Sequence, residues 1–302
     1  MKNVYQFMFL LCFFFVVTPA YGKGDLVQLS DHVYSYVDRE ESAANSYGAN
    51  AGIVVGSKGV AVVDTLISAK EAQRFLQQIR AVTDKPILYT VNTHSHFDHS
   101  FGNGVFKDQG AVLISHEASD SSLRKQGPSV LAGIENFGLT AQDMVGTRLE
   151  YSDIVFQKHL RLDLGGIIVE LIHVIDSHTQ GSSLVYVPQE KIVFAGDILF
   201  TDFHPYMADG EAKEWNKALD FLADLGAEKI IPGHGPVSGR KDVLDMKVYL
   251  TRFDSLAGEM SSYEYSIDRT EEELKKVLPE RSHGAWIIRA NLQGKYYKAS
   301  KD

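Results

Sequence analysis

The chain has 302 residues, 44% hydrophobic and 23% charged, the balance of an ordinary globular protein with enough length to bury a core. Thirty Lys and Arg stand against 39 Asp and Glu, with no basic run or arm, which argues against a nucleic-acid partner. Cys12 is the single cysteine, so disulfide frameworks and structural zinc sites of the CxxC kind are excluded.

The first 22 residues stand apart. Met1-Lys2-Asn3 is a short positive start, Val4 to Val17 is an apolar run, and Thr18 to Gly22 supplies small residues suited to cleavage. This order predicts a secretory signal peptide over 1–22, cut after Ala20 or Gly22, and a periplasmic or secreted mature protein. The apolar run of 14 residues is shorter than the roughly 20 that a membrane span needs, so no stable membrane insertion is expected after cleavage. Cleavage removes Cys12 and Lys2, leaving a mature charge of about −10 and no thiolate nucleophile.

Strand-like and helix-like stretches then alternate. Gln28 to Val37 and Gly52 to Asp64 read as strands, the second folded at Gly56-Ser57-Lys58-Gly59 into a hairpin. Ser68-Ala69-Lys70-Glu71 reads as a capping box opening an amphipathic helix to about Val82. Pro86 to Asn92 and Ala111 to Ser115 are strands, followed by a Ser-rich, mostly helical region to about Gly133. Val155 to Val187 holds several strands with a hairpin turn at Gly165-Gly166, and Lys191 to Ala195 is another. A helix over Glu211 to Leu225 and a strand over Lys229 to Ile231 follow. Arg240 to about Leu278 is largely helical, and the tail from Arg281 is weakly patterned. One domain over 23–302, with 240–302 as a helical C-terminal extension, is the economical organisation.

Five places share one local design, a short apolar strand running into a polar loop that carries His or Asp. They end in Thr93-His94-Ser95-His96-Phe97-Asp98-His99, in His116, in Asp176-Ser177-His178-Thr179, in Gly196-Asp197 and in Gly233-His234-Gly235. Buried strands give rigid support, and loops at their ends place side chains on a common rim. Three His and one Asp within six residues suit a divalent ion, since imidazole and carboxylate are good zinc donors. One loop cannot close two shells, and His178, Asp197 and His234 are available to complete them. Isolated histidines are more often ordinary surface or core residues, and His32, His159, His173 and His283 are left unassigned.

The segment from His94 to His99, followed by Gly102-Asn103, resembles the HxHxDH motif of the metallo-β-lactamase superfamily. Asp64, His178 in Ser-His-Thr-Gln-Gly-Ser, Asp197 in Gly-Asp-Ile-Leu-Phe and His234 in Gly-His-Gly follow in the matching order, so the resemblance covers roughly residues 28 to 240. It implies an α+β chain folded as a four-layer αββα sandwich. It also implies two zinc ions per chain, iron or manganese being compatible with the same donors. One would sit on His94, His96 and His178 and the other on Asp98, His99 and His234, with Asp197 as bridge. Asp64 resembles a buried carboxylate that positions the metal loop, His116 is a further supporting candidate, and His204 and Tyr206 are candidates for the substrate pocket. The implied chemistry is a metal-bridged hydroxide, oriented by Asp98, attacking an ester, thioester, lactone or lactam carbonyl of a small-molecule substrate. Asp197 stands where dedicated β-lactamases of the family carry Cys or a non-ligand residue, which favours the thioesterase and lactonase side. The alternatives are a mononuclear iron redox enzyme of the persulfide-dioxygenase kind, a dedicated β-lactamase, and a non-catalytic accessory protein on the same fold.

Overall fold

The structure, a computed structural model, describes residues 24–37 and 41–297; the leader of 1–22 lies outside the described residues. Two sheets face each other. The first contains β1 (Asp25–Gln28), β2 (Val33–Val37), β3 (Ala51–Val55), β4 (Val60–Val63), β5 (Ile87–Val91), β6 (Val112–His116) and β7 (Ile154–Phe156), side by side in chain order. Its first four strands pair antiparallel, and β4 to β7 run parallel. The second contains β8 (His159–Asp163), β9 (Ile168–His173), β10 (Ser183–Val187), β11 (Ile192–Phe200) and β12 (Lys229–His234). It is antiparallel except for the parallel β11–β12 pair.

Period-two alternation in the strands gives each sheet two apolar faces, and that builds the layers. In β4, Ala61 and Val63 pack against Val169, Leu171, Val185 and Phe194 of the facing sheet. Val60 and Val62 point outward to Ala72, Phe75, Leu76 and Ile79 of α1 (Ala69–Val82). These α1 positions fall at i, i+3, i+4 and i+7, one stripe of a helix. In β11, Ile192 and Phe194 face inward, whereas Val193 and Ala195 face α5 (Ala212–Asp224) and α6 (Arg240–Ser262). The result is the expected four-layer αββα sandwich. Met246, Tyr249, Leu250 and Phe253 of α6, Leu274 of α7 (Ile267–Val277) and Ile288 of α8 (Ala285–Asn291) lie in that same outer cluster.

Several local readings change. The single strand expected from Gln28 to Val37 is two strands, because Ser30 Oγ accepts from the His32 and Val33 amides and turns the chain between β1 and β2. Ser68 does cap α1, accepting from the Glu71 amide at 3.3 Å, but Glu71 spends its carboxylate on Arg74. The loop expected to carry Asp197 is strand instead, since β11 continues to Phe200. Register shifts around Gly196 make this possible, with Gly196 at φ +50° and its Cα face against Thr93, where a Cβ would meet Oγ1 at 2.4 Å. The weakly patterned tail contains α8 and one π turn over Leu292–Tyr296, too short to show a helical period.

Candidate metal centre

Residues from both sheets meet at one edge of the sandwich. His94, His96, Asp98 and His99 come from the segment after β5, where α2 (Phe97–Ser100) is a single turn that puts Asp98 and His99 on its inner side. His178 comes from the β9–β10 loop, Asp197 from inside β11 and His234 from the end of β12. Ligand-type atoms of His94, His96, His178 and Asp197 lie within 4.8 Å of one another, as do those of Asp98, His99 and His234, so each group could hold a metal ion.

Asp197 joins the groups. Its Oδ2 is 3.1 Å from His178 Nε2 and 3.6 Å from His94 Nε2, while its Oδ1 is 3.2 Å from His99 Nε2 and 3.5 Å from His234 Nε2. Gly233 makes room for that carboxylate, because a Cβ there would stand 1.8 Å from Oδ1. Asp98 Oδ2 lies 3.6 Å from His99 Nε2 and 3.4 Å from His234 Nε2.

The outer partners fix which nitrogen of each ring faces inward. His178 Nδ1 donates to the Tyr206 carbonyl at 3.1 Å and His234 Nδ1 to the Tyr47 carbonyl at 3.2 Å, since a carbonyl can only accept. His99 Nδ1 donates to Asp64 Oδ2 at 3.0 Å. Thr93 Oγ1 gives its one proton to Asp64 and therefore accepts from His94 Nδ1 at 3.1 Å. His96 is reversed: Nε2 donates to Asp209 Oδ2 at 3.1 Å, and Nδ1 faces His178 Nε2 at 2.9 Å. Five imidazoles thus aim a lone pair at a common interior. His94 Nε2 and Asp197 Oδ1 are buried there with no hydrogen-bond partner. Orphaned buried acceptors carry a large desolvation penalty unless a cation satisfies them, so the donor set fits a divalent metal cofactor.

The buried acids and rings shift one another's ionisation. Burial alone would raise the Asp197 carboxyl, but the His99, His234, His94 and His178 rings hold it well below the usual range. Burial drives the His94 imidazole well below its ordinary value. Burial likewise opposes charge on His99, yet Asp197, Asp98 and Asp64 hold it well above. Asp64 is raised by burial, with His99 and Thr93 countering.

The other candidates divide. Tyr206 belongs to the site, its ring 5.9 Å from that of His96. His204 does not. Its Nδ1 pairs with the Tyr249 hydroxyl at 2.7 Å, and its ring lines a separate cleft of about 570 Å³ with Lys275, Leu278 and Arg281. The backbone turns it away because its amide bonds the His283 carbonyl at 3.0 Å. His116 also stays out of the interior. Its ring nitrogens engage the Gln157 carbonyl and the Ala118 amide, and it backs the His178 loop at Gly181 instead.

Some supports escaped the sequence reading. Asn50 donates through Nδ2 to the Pro232 and Gly235 carbonyls at 2.9 and 2.8 Å and so clamps the turn that carries His234. Asp209 holds His96, and the Phe200 ring stacks on His234 at 5.0 Å. No local motif marks any of them, since each acts on a residue distant in the chain.

Comparison with known proteins agrees with this geometry. A family model described as the metallo-beta-lactamase superfamily matches residues 45–234. A protein named metallo-beta-lactamase type 2 from Elizabethkingia meningoseptica is 26% identical over 212 residues, covering 68% of this chain and 77% of its own. Among solved structures, a metallo-beta-lactamase from Pontibacter korlensis superposes with a TM-score of 0.61 at 20% identity, over 76% of this chain and 99% of its own. The DIM-1 metallo-beta-lactamase does so with a TM-score of 0.59 at 18% identity, over 76% and 98%. The structural likenesses establish the fold, and the family model spans more than half of the sequence from the turn before β3 to His234 itself. The chain belongs to the metallo-β-lactamase superfamily, whose members are generally metallohydrolases.

Proposed function

We propose that the protein is a dinuclear zinc hydrolase that adds water across an ester, thioester, lactone or lactam bond, giving a carboxylic acid and a freed hydroxyl, thiol or amine group, both on one opened product when the bond lies in a ring. The observation that carries this reading is the split of the Asp197 carboxylate, one oxygen toward each group of ligand atoms. In this reading His94, His96 and His178 would hold one ion and Asp98, His99 and His234 the other, with an Asp197 oxygen available to each. Two zinc ions, when bound, supply a water acidified to near-neutral pKa and a Lewis acid for the acyl oxygen.

The chain's own groups do the rest. Asp98 has a side chain 11% exposed, against 0% for His99 and 4% for Asp197, and so stands where the interior opens. It orients the attacking water and holds its proton. Tyr206 keeps its proton at neutral pH, because burial and then Asp209 push its phenol up to about 12. It is the proposed donor toward the oxygen or leaving group of a bound substrate. Asp64 fixes His99 and Thr93 together and so sets the register of the whole ligand loop.

The curated relative's name brings β-lactams into the test beside esters, thioesters and lactones. Metal analysis of the purified protein and turnover of that panel test the reading together. About two equivalents of zinc and a loss of at least a hundredfold in His96→Ala are expected. Less than one equivalent of zinc, or unchanged turnover in His96→Ala, would overturn it.

A further inference from the structure

The interior opens at His96, Asp98 and His234, whose side chains are 20%, 11% and 7% exposed. Four aromatic rings adjoin one another beside this opening, Tyr47 tied to it by its backbone bond to His234 and Phe97 by its place next to Asp98. Phe97 sits between two candidate ligands in the chain, and its ring is 4.9 Å from Phe137 and 6.1 Å from Tyr47. Tyr47 is in turn 6.2 Å from Trp286. These separations are those of interacting aromatic pairs. Trp286 is nonetheless 55% exposed and Phe137 39% exposed.

The wall is fastened to the metal site. The Tyr47 carbonyl receives the His234 Nδ1 proton, and its hydroxyl donates to the Phe137 carbonyl. Ser46 and Tyr47 both sit at positive φ, +56° and +53°, a strained pair for residues other than glycine. The strain is held by Ser46 Oγ, which accepts from the Ile67 amide, and by the Tyr47 amide on the Ser42 carbonyl. Strain of this kind persists where the surroundings over-determine it, as at ligand-contacting sites.

Trp286 arrives from elsewhere in the chain, on α8, beyond the residues that the family model matches. Its helix is anchored at the site by two contacts. The Phe203 ring lies between His234, at 5.6 Å, and His283, at 4.5 Å, and the Gly284 amide donates to Glu41 at 2.7 Å.

We infer that Trp286, with Tyr47, Phe97 and Phe137, selects substrates carrying an aromatic ring next to the bond cleaved, Trp286 being a specificity residue supplied by the C-terminal helix. This rests on the hydrolase reading above, and it names the substrate class for the same site. Water enters the acyl bond of such a substrate, the acyl carbon gaining OH and the leaving oxygen or sulfur gaining H.

Two measurements on the zinc-loaded protein test it. In the first, kcat/KM is compared between an aryl ester, phenyl acetate, and a small aliphatic one, ethyl acetate, in wild type, Trp286→Ala and Trp286→Phe. Trp286→Ala is expected to lose about three- to tenfold more on the aryl ester than on the aliphatic one, chiefly in KM, with Trp286→Phe recovering most of it. Equal losses on both esters would overturn the inference. The second is independent of turnover. Titration with anisole, neutral and not hydrolysable, is read by tryptophan fluorescence, with cyclohexyl methyl ether as control. Saturable quenching by anisole alone, absent in Trp286→Phe, supports the wall even if no ester is cleaved and the hydrolase reading fails. No saturable quenching, or the same response to both ethers, overturns it.

Discussion

Asp64 shows how much of the centre depends on one side chain that offers no ligand atom. It adopts φ +58°, uncommon outside glycine, and from there accepts from the Thr93 amide, the Thr93 hydroxyl and His99 Nδ1 within 3.0 Å. Through Thr93 it also sets the tautomer of His94. Asp64→Asn keeps the shape but turns one accepting oxygen into a donor, so either the Thr93 amide loses its acceptor or the Thr93 hydroxyl and His99 Nδ1 must both reverse. Metal affinity, read by competition with a chromogenic chelator, is expected to fall about ten- to hundredfold. Affinity within twofold of wild type would show that the ligands are held without it. His204 teaches the reverse, a histidine beside the site in sequence that the fold turns elsewhere. Burial brings its pKa down to about 4, so it is neutral in the native state. The unfolded value near 6.5 is higher, hence acid favours unfolding, and the stability held above pH 6.5 is lost progressively as pH falls toward 4. The loss amounts to about 2 kcal/mol after allowing for solvent screening at the cleft. Melting temperature against pH is expected to fall less steeply for His204→Gln than for wild type across this window. Parallel curves would refute that.

At the scale of elements, the segment after β11 depends on α8. Asn291, fully buried, accepts from the Met207 amide at 2.6 Å and donates to the Pro205 carbonyl at 2.8 Å. Between and beyond these two residues lie Tyr206, whose carbonyl orients His178, and Asp209, which orients His96. Asn291→Ala strands two buried backbone groups and should cost about 2 kcal/mol of stability, seen by denaturant unfolding. The same variant is expected to bind metal more weakly, because both rings lose a fixed outer partner. Wild-type stability would mean that the segment holds itself. The residues after Arg240 therefore reach the site as well as the outer layer, since α6 and α8 share a hydrophobic cluster with Phe200 and Phe203.

Across the whole molecule, the two sheets pack face to face through one shared apolar cluster and both reach the donor cluster at one edge, His94 to His99 hanging from the first sheet and His178, Asp197 and His234 from the second. Ions held by both halves would tie them together and bind only the folded chain. At zinc concentrations 100 times the dissociation constant, each site adds about 2.7 kcal/mol, so removal of metal with EDTA is expected to lower the melting temperature by several degrees. An unchanged melting curve after verified metal removal would argue against ions shared between the sheets. No helix among the described residues is long and apolar enough to cross a membrane. The proposed export signal of 1–22 is checked by the N-terminal sequence of protein recovered from the producing cells, expected at Tyr21 or Lys23.

What the sequence determined by itself is what local pattern can carry. Strand alternation, the Ser68 cap and the Gly165-Gly166 turn are set by neighbours a few residues apart, and most elements lie where these signals place them. The candidate donors that the fold brings together were legible because four of them fall in six residues and the other three lie in short motifs that are themselves local. What only the tertiary structure decided is every relation across distance. That Asp197 sits inside a strand depends on Gly196 yielding to Thr93 of the other sheet. That Tyr206 belongs to the site and His204 does not depends on Tyr249 and His283, whose sequence surroundings signal nothing. Asn50, Asp209, Asn291 and Trp286 act on groups 84 to 239 positions away, and contacts of that span leave no periodicity or spacing to read. The physical reason is that a lone pair, a ring face or a carbonyl acquires its role from what burial brings against it.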